Sequence, residues 1–233
     1  MLTHGLLHVH LAAFNNMWFL FLSTPRYDPA NPDPPFRTSQ HLPFFFTGGL
    51  GLPPPTIGLA IGIIGFVGLL FQFGIYSWIT FRLGIVLTHR LALILTFPIV
   101  YVLVPYIVML PTTSASPHAA DGPWIWIVIS SLLVLQTFGR TFVLPITQIL
   151  VNNCTPHPSV LGAVHGIGQS VSSGCRTLGP VIWSSLYGMG LEKGVVGIAW
   201  WILGIESIAA AAASLLLREG SGHEIVLDGD DDG

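Results

Sequence analysis

The stretch TIGLAIGIIGFVGLLFQFGIYSWITF, residues 56–81, contains no aspartate, glutamate, lysine or arginine. A spanning helix needs about 20 mostly apolar residues at 1.5 Å of rise, and this run exceeds that. A helix of this length on a water-soluble protein would carry a polar stripe. Here Gln72 and a few hydroxyl side chains are all the polarity there is. The segment reads as a helix solvated by lipid.

The same ruler, moved outward, finds five more candidates. The predicted helices cover about 6–22, 56–81, 91–110, 124–151, 160–189 and 195–217. The first is short and interrupted by His8, His10, Asn15 and Asn16. Residues 23–55 form a loop rich in proline (Pro25, Pro29, Pro32, Pro34, Pro35, Pro53, Pro54, Pro55), with Gly48, Gly49 and Gly51 near its end. A polar turn region at 111–123 separates the third helix from the fourth, and Asn152, Asn153, Pro156 and Pro158 stop the fourth. Pro98, Pro105, Pro145 and Pro180 fall inside predicted helices, where each removes a backbone donor and marks a kink. The short connections, including roughly ten residues with Arg82 and Arg90 between the second and third helices, require neighbours to run antiparallel. The expected fold is an all-α integral membrane protein, a six-transmembrane-helix bundle, followed by an acidic disordered tail over 219–233.

Composition agrees. Only 8% of the 233 residues are charged, against roughly 25% in a soluble domain, while 52% are hydrophobic and the mean hydropathy is +0.71. The net charge of -3 is local, since Asp228, Asp230, Asp231 and Asp232 crowd the tail. No basic arm suits nucleic acid. Cys154 and Cys175 suggest no disulfide framework. His4, His8 and His10 have no carboxylate near them in sequence to complete a metal site, and no nucleophile elbow, phosphate loop or metalloprotease motif occurs. The chain is expected to be no enzyme and to hold no metal or cofactor. Arg82, Arg90 and Arg218 put the end of the bundle that they share in the cytosol by the positive-inside rule; Arg26, Arg37 and Lys193 fall on the other side.

Two patterns carry chemistry. Gly58, Gly62, Gly65 and Gly68 share one face of the second helix, and Gly162, Gly166, Ser170 and Gly174 repeat the device in the fifth. Such stripes let backbones approach closely, for packing and for sliding. The fifth helix also bears a polar stripe, His165, Gln169, Ser172 and Arg176, at single-face spacing. Arg176 falls near mid-membrane counted from either end, about 20–24 Å deep. Arg140 and Glu206 are further charges at membrane depth, with Gln136 one turn before Arg140. Ions there cost several kcal/mol unless they meet water or a partner. Either these residues line an aqueous path in which Glu206 titrates while the arginines bind an anion or tune it, or Arg and Glu form a static pair that fixes the helices.

Arg140 to Pro145, Ile149 to Asn153, Leu161 to Gly166, Gln169-Ser170, Ser172-Ser173 and Arg176 to Pro180 resemble the tenth and eleventh helices of the major facilitator superfamily. The similarity is to a fungal branch related to zinc-induced-facilitator-like and tetracycline-resistance-like transporters. Arg82-Leu83-Gly84 looks like a degenerate copy of the family's loop motif, and Phe46 to Leu52 fits the same branch. The resemblance covers about residues 1–218 and implies the C-terminal six-helix half of that fold. It further implies substrate bound between two halves at mid-membrane, proton-coupled transport of a small organic or ionic solute by rocking, and residence in a plasma or vacuolar membrane. An N-terminal half has no counterpart here. The chain is therefore expected to be a fragment or truncated half that needs that missing half or a second copy. The alternative is a non-transporting remnant or a helical interaction protein in the membrane.

Overall fold

In lipid no water takes up backbone hydrogen bonds, so an apolar chain satisfies them within helices. The computed structural model describes residues 2–30, 40–155, 157–217 and 220. Those residues form α1 (Leu2–Ser23), α2 (Pro54–Gly74), α3 (Tyr76–Leu83), α4 (Ile85–Leu95), α5 (Phe97–Leu103), α6 (Pro123–Asn153), α7 (Leu161–Glu192) and α8 (Ile198–Ser214). Single 3₁₀ stretches cover Val104–Met109 and Pro158–Val160. The acidic tail, together with Pro32, Asp33, Pro34, Pro35, Arg37, Pro156, Arg218 and Glu219, lies outside the described residues.

Two expected helices are each divided. The run 56–81 breaks at Ile75 into α2 and α3. The run 91–110 begins earlier, at Ile85, breaks at Thr96 and ends in the 3₁₀ stretch. Proline explains the second case: Pro98 and Pro105 each sit in the first turn of a new segment, where a missing N–H costs nothing. Pro145 and Pro180, in contrast, lie inside unbroken α6 and α7. The expected ten-residue link carrying Arg82 and Arg90 is Gly84 alone, at φ +78, with Arg82 inside α3 and Arg90 inside α4.

Side-chain pairs fix the directions. His4 meets Gly168 and Asn16 meets Ser184, so α1 and α7 run parallel. His10 meets Glu206 while Phe21 packs on Trp200, so α8 runs against α1. His89 meets Thr147 and Tyr101 meets Gln136, setting α4 and α5 against α6, while Phe71–Phe138 and Tyr76–Phe142 align α2 and α3 with α6. Successive rods of the bundle, α1, α2 with α3, α4 with α5, α6, α7 and α8, thus alternate in direction. Leu2–Ser23, Pro54–Gly74, Ile85–Met109 and Pro123–Asn153 are long and apolar enough to cross a membrane by length and composition; α8 is apolar but has 17 residues. The outward faces are apolar, with Phe66, Phe73 and Phe81 largely exposed.

The core forms around α1, where Phe14, Trp18 and Phe21 are buried against Tyr101 and Trp200. The end of α1 is capped from outside. Gly49 N, Leu50 N, Gly51 N and Leu52 N donate to Pro25 O, Phe21 O, Thr24 O and Leu22 O, taking up carbonyls that a helix end leaves open. A Cβ on Gly49 would strike the Phe21 and Thr24 carbonyls, and Gly48 sits at φ +92, so this strap needs glycine at both positions. It also joins neighbours, for Ala120 N donates to Leu50 O and Val196 N to Phe46 O. At the opposite end Arg90 donates to Ser214 O, Leu215 O and Leu217 O, closing the last turn of α8.

Candidate functional site

The polar residues that interrupt α1 face its neighbours. Toward α7, a His4 ring nitrogen lies 3.1 Å from Gly168 O, His8 Nδ1 lies 3.3 Å from Ser172 Oγ, and Asn16 Nδ2 donates to Ser184 Oγ at 2.5 Å. Toward α8, His10 Nδ1 lies 3.1 Å from Glu206 Oε2, the imidazole fully buried and the Glu206 side chain partly exposed. Toward α6, Asn15 Oδ1 accepts a hydrogen bond from Arg140 Nη1 at 3.0 Å.

His8, Leu11, Ala12 and Asn15 recur at the three- and four-residue offsets of one helical face. With Arg140 and Leu144 of α6 and Arg176 of α7 they line a cavity of about 340 Å³. A second cavity of about 360 Å³ shares Arg140 and Leu144 and continues along α2, past Gly65, Gly68 and Gln72, with Thr141 on the α6 side. Arg140 stands between the two.

The structure sorts the residues expected to act together. Arg140 and Arg176 do meet in one cavity, and Ser172 is buried at its edge behind His8. Gln169 is exposed and His165 half-buried on α7, and neither lines that cavity. Glu206 is on another side of α1; its ion pair is with His10, and no arginine pairs with it among the described residues. The static Arg–Glu pair is therefore not the arrangement observed. Gln136 turns away from Arg140 to reach the Tyr101 hydroxyl across the α5 interface. The carboxylate that meets an α1 histidine, His10, comes from a position 196 residues later.

The glycine stripes do not pack inside the chain. A Cβ on Gly58, Gly62, Gly65, Gly162, Gly166 or Gly174 would meet no atom within 4 Å. Gly68 has Thr137 at 3.4 Å, and Ser170 bonds back to Gly166 O of its own helix. Both stripes face outward, and Gly65 and Gly68 border the second cavity. A close approach between helices does occur at Gly139, where Thr96 and Phe97 press on α6.

His8, His10 and Asn15 are the site residues that sequence reasoning missed. In the sequence, polar groups inside an otherwise apolar span read as interruptions of it; His8 and Asn15, seven apart on one face, are the available signal.

Comparison with known proteins agrees with this bundle. Over 216 residues the chain is 34% identical to the Major facilitator superfamily multidrug transporter mfsB of Aspergillus fumigatus, a match covering 93% of this chain and 33% of that protein. The chain is a homologue of fungal major facilitator superfamily transporters. Two further relatives in that superfamily are named Major facilitator-type transporter psiT2: that of Psilocybe cyanescens is 27% identical over 70% of this chain, and that of Psilocybe cubensis 26% over 67%. The chain spans about a third of the length of these major facilitator relatives. No family model matches it, and no solved structure does. Homology and the apolar helices together make it an integral membrane protein whose relatives are named as transporters.

Proposed function

We propose that the chain is the C-terminal six-helix half of a proton-coupled secondary transporter for a small organic solute. In this reading all six passes cross a plasma or vacuolar membrane, with the Gly84 and Asn153 end in the cytosol. The observation that carries it is the His10–Glu206 pair, a titratable couple held between α1 and α8 where lipid-facing helices leave no structural need for charge. One oxygen of Glu206 and one nitrogen of His10 are buried with no hydrogen-bond partner among the described residues, which supports a role in passing a proton to water admitted to the bundle. The relative named as a multidrug transporter supports a small organic cargo.

The outward glycine faces of α2 and α7 are where the other half of the transporter, or a second copy, would seat, since backbones can approach closely there. The cavities around Arg140 would then lie between two bodies, as in transporters built from paired repeats. Translating the transcript upstream of the Met1 codon tests the first partner; six further spans are expected.

Flux tests the coupling. The purified chain in liposomes carrying an internal pH dye should move protons when a solute gradient is imposed. Glu206→Gln should abolish that movement while leaving the protein folded. Proton flux that persists unchanged in the variant removes Glu206 from the path. A wild-type chain that moves no protons, alone or with its upstream half, favours the non-transporting alternative.

A further inference from the structure

We infer that the cavity between α1, α6 and α7 binds a small organic anion, an oxyanion head on an apolar body, through Arg140, Arg176 and His8. Two guanidiniums line this space and no acid does. Of the carboxylates among the described residues, Glu206 is tied to His10 on another side of α1, Asp28 and Asp121 lie in connecting loops, and Glu192 ends α7. Asn15 holds the Arg140 guanidinium in place through one hydrogen bond. Arg176 has no hydrogen-bond or ion-pair partner among the described residues. Two like charges beside low-dielectric walls repel, and an oxyanion between them turns that repulsion into attraction.

His8 points the same way by separate evidence. It is 4% exposed, it lines the cavity, and its Nε2 has no partner among the described residues. When the Ser172 hydroxyl donates to Nδ1, the ring proton sits on Nε2, a buried donor with no acceptor among the described residues. An anion supplies the acceptor. Leu11, Ala12 and Leu144 form the apolar wall that would receive the body of the solute, and about 340 Å³ falls within the usual range for small-molecule sites. This inference names the cargo class for the transport reading and rests on it for the sense of cargo, yet binding can be measured without flux.

The same oxyanion chemistry could come from a free solute or from the headgroup of an anionic lipid; the proposal commits to the free solute. The test uses the full chain in nanodiscs of phosphatidylcholine, titrated calorimetrically with phenyl phosphate and, as the neutral counterpart, benzyl alcohol. Phenyl phosphate should bind saturably and benzyl alcohol should not. Arg176→Gln, which breaks no hydrogen bond of the fold, should weaken phenyl phosphate by about tenfold or more, the loss of one charge-assisted contact. Arg176→Lys should keep most of the affinity. Equal binding of both probes, or an unchanged affinity in Arg176→Gln, overturns the site. Adding phosphatidylglycerol should leave phenyl phosphate binding intact; if it abolishes binding, the occupant is a lipid headgroup and the solute proposal falls. Binding absent while proton-linked flux persists removes this site alone, and binding present without flux removes the transport reading alone.

Discussion

Single glycines in this chain differ sharply in what they do. Gly139 stands in no pattern, yet a methyl group there would collide with Thr96 Oγ1 and crowd Phe97. Gly139→Ala should therefore cost about 1–3 kcal/mol of stability as overpacking, read as a lower melting temperature in detergent. Gly166 belongs to a conspicuous stripe, yet nothing lies near it. Gly166→Ala should leave the isolated chain as stable or raise it by up to about 1 kcal/mol, because alanine favours helix. Its cost should appear only when a second body is present. The sequence shows where glycine recurs but not which surface it meets, since spacing fixes the face of one helix and says nothing of its neighbour. At the same scale, His10→Ala strands the Glu206 carboxylate among apolar residues. It should destabilise by about 1–3 kcal/mol, more than Glu206→Gln, which keeps a group able to bond the imidazole. Thermal melts of the two variants side by side would check that order.

Among the elements, helix ends were the hardest to read. The long apolar runs announce themselves because spanning length is a property of the local chain. The break at Thr96 is legible from Pro98, whereas the break at Ile75 has no proline to signal it, only Gly74 at the end of α2. Arg90 counted in the sequence only as a positive charge near a helix end; the structure makes it a clamp on three carbonyls of α8 and its continuation. Arg90→Gln should release that turn at a cost of about 1–3 kcal/mol, the range for hydrogen bonds to a charged group. Amide hydrogen exchange over residues 212–217 should speed up while exchange in α1 is unchanged. Uniform exchange in both proteins would show that the clamp is idle.

At the level of the whole molecule, the class was legible from charge content and run length, while the site was not. Its decisive pairs, His8 with Ser172, His10 with Glu206 and Asn15 with Arg140, join residues 164, 196 and 125 positions apart. Helical periodicity groups residues within one helix and cannot place them across a bundle. Topology offers a direct check of the proposed orientation. Cys154, exposed just after α6, should react with an impermeant maleimide from the cytosolic side. A cysteine replacing Lys193, at the other end of the bundle, should react from the opposite side in a Cys154→Ala, Cys175→Ala background. Labelling of both from one side would contradict a weave of six crossings.

The polar face of α1 also has a bearing on how the protein is made. Of the four stretches apolar enough to span, α1 is the least so, at a mean hydropathy of 1.2. The groups that complement His8, His10, Asn15 and Asn16 are translated 125 to 196 residues later. At about 5–20 residues per second, a nascent α1 waits on the order of ten seconds or longer beside the insertion machinery with those groups bare. A ribosome halted just past Asn153 would leave α1 without the α7 and α8 contacts that hold its histidines. The pairs that hold this cavity-lining helix in the bundle thus form only in the closing stages of the chain's synthesis.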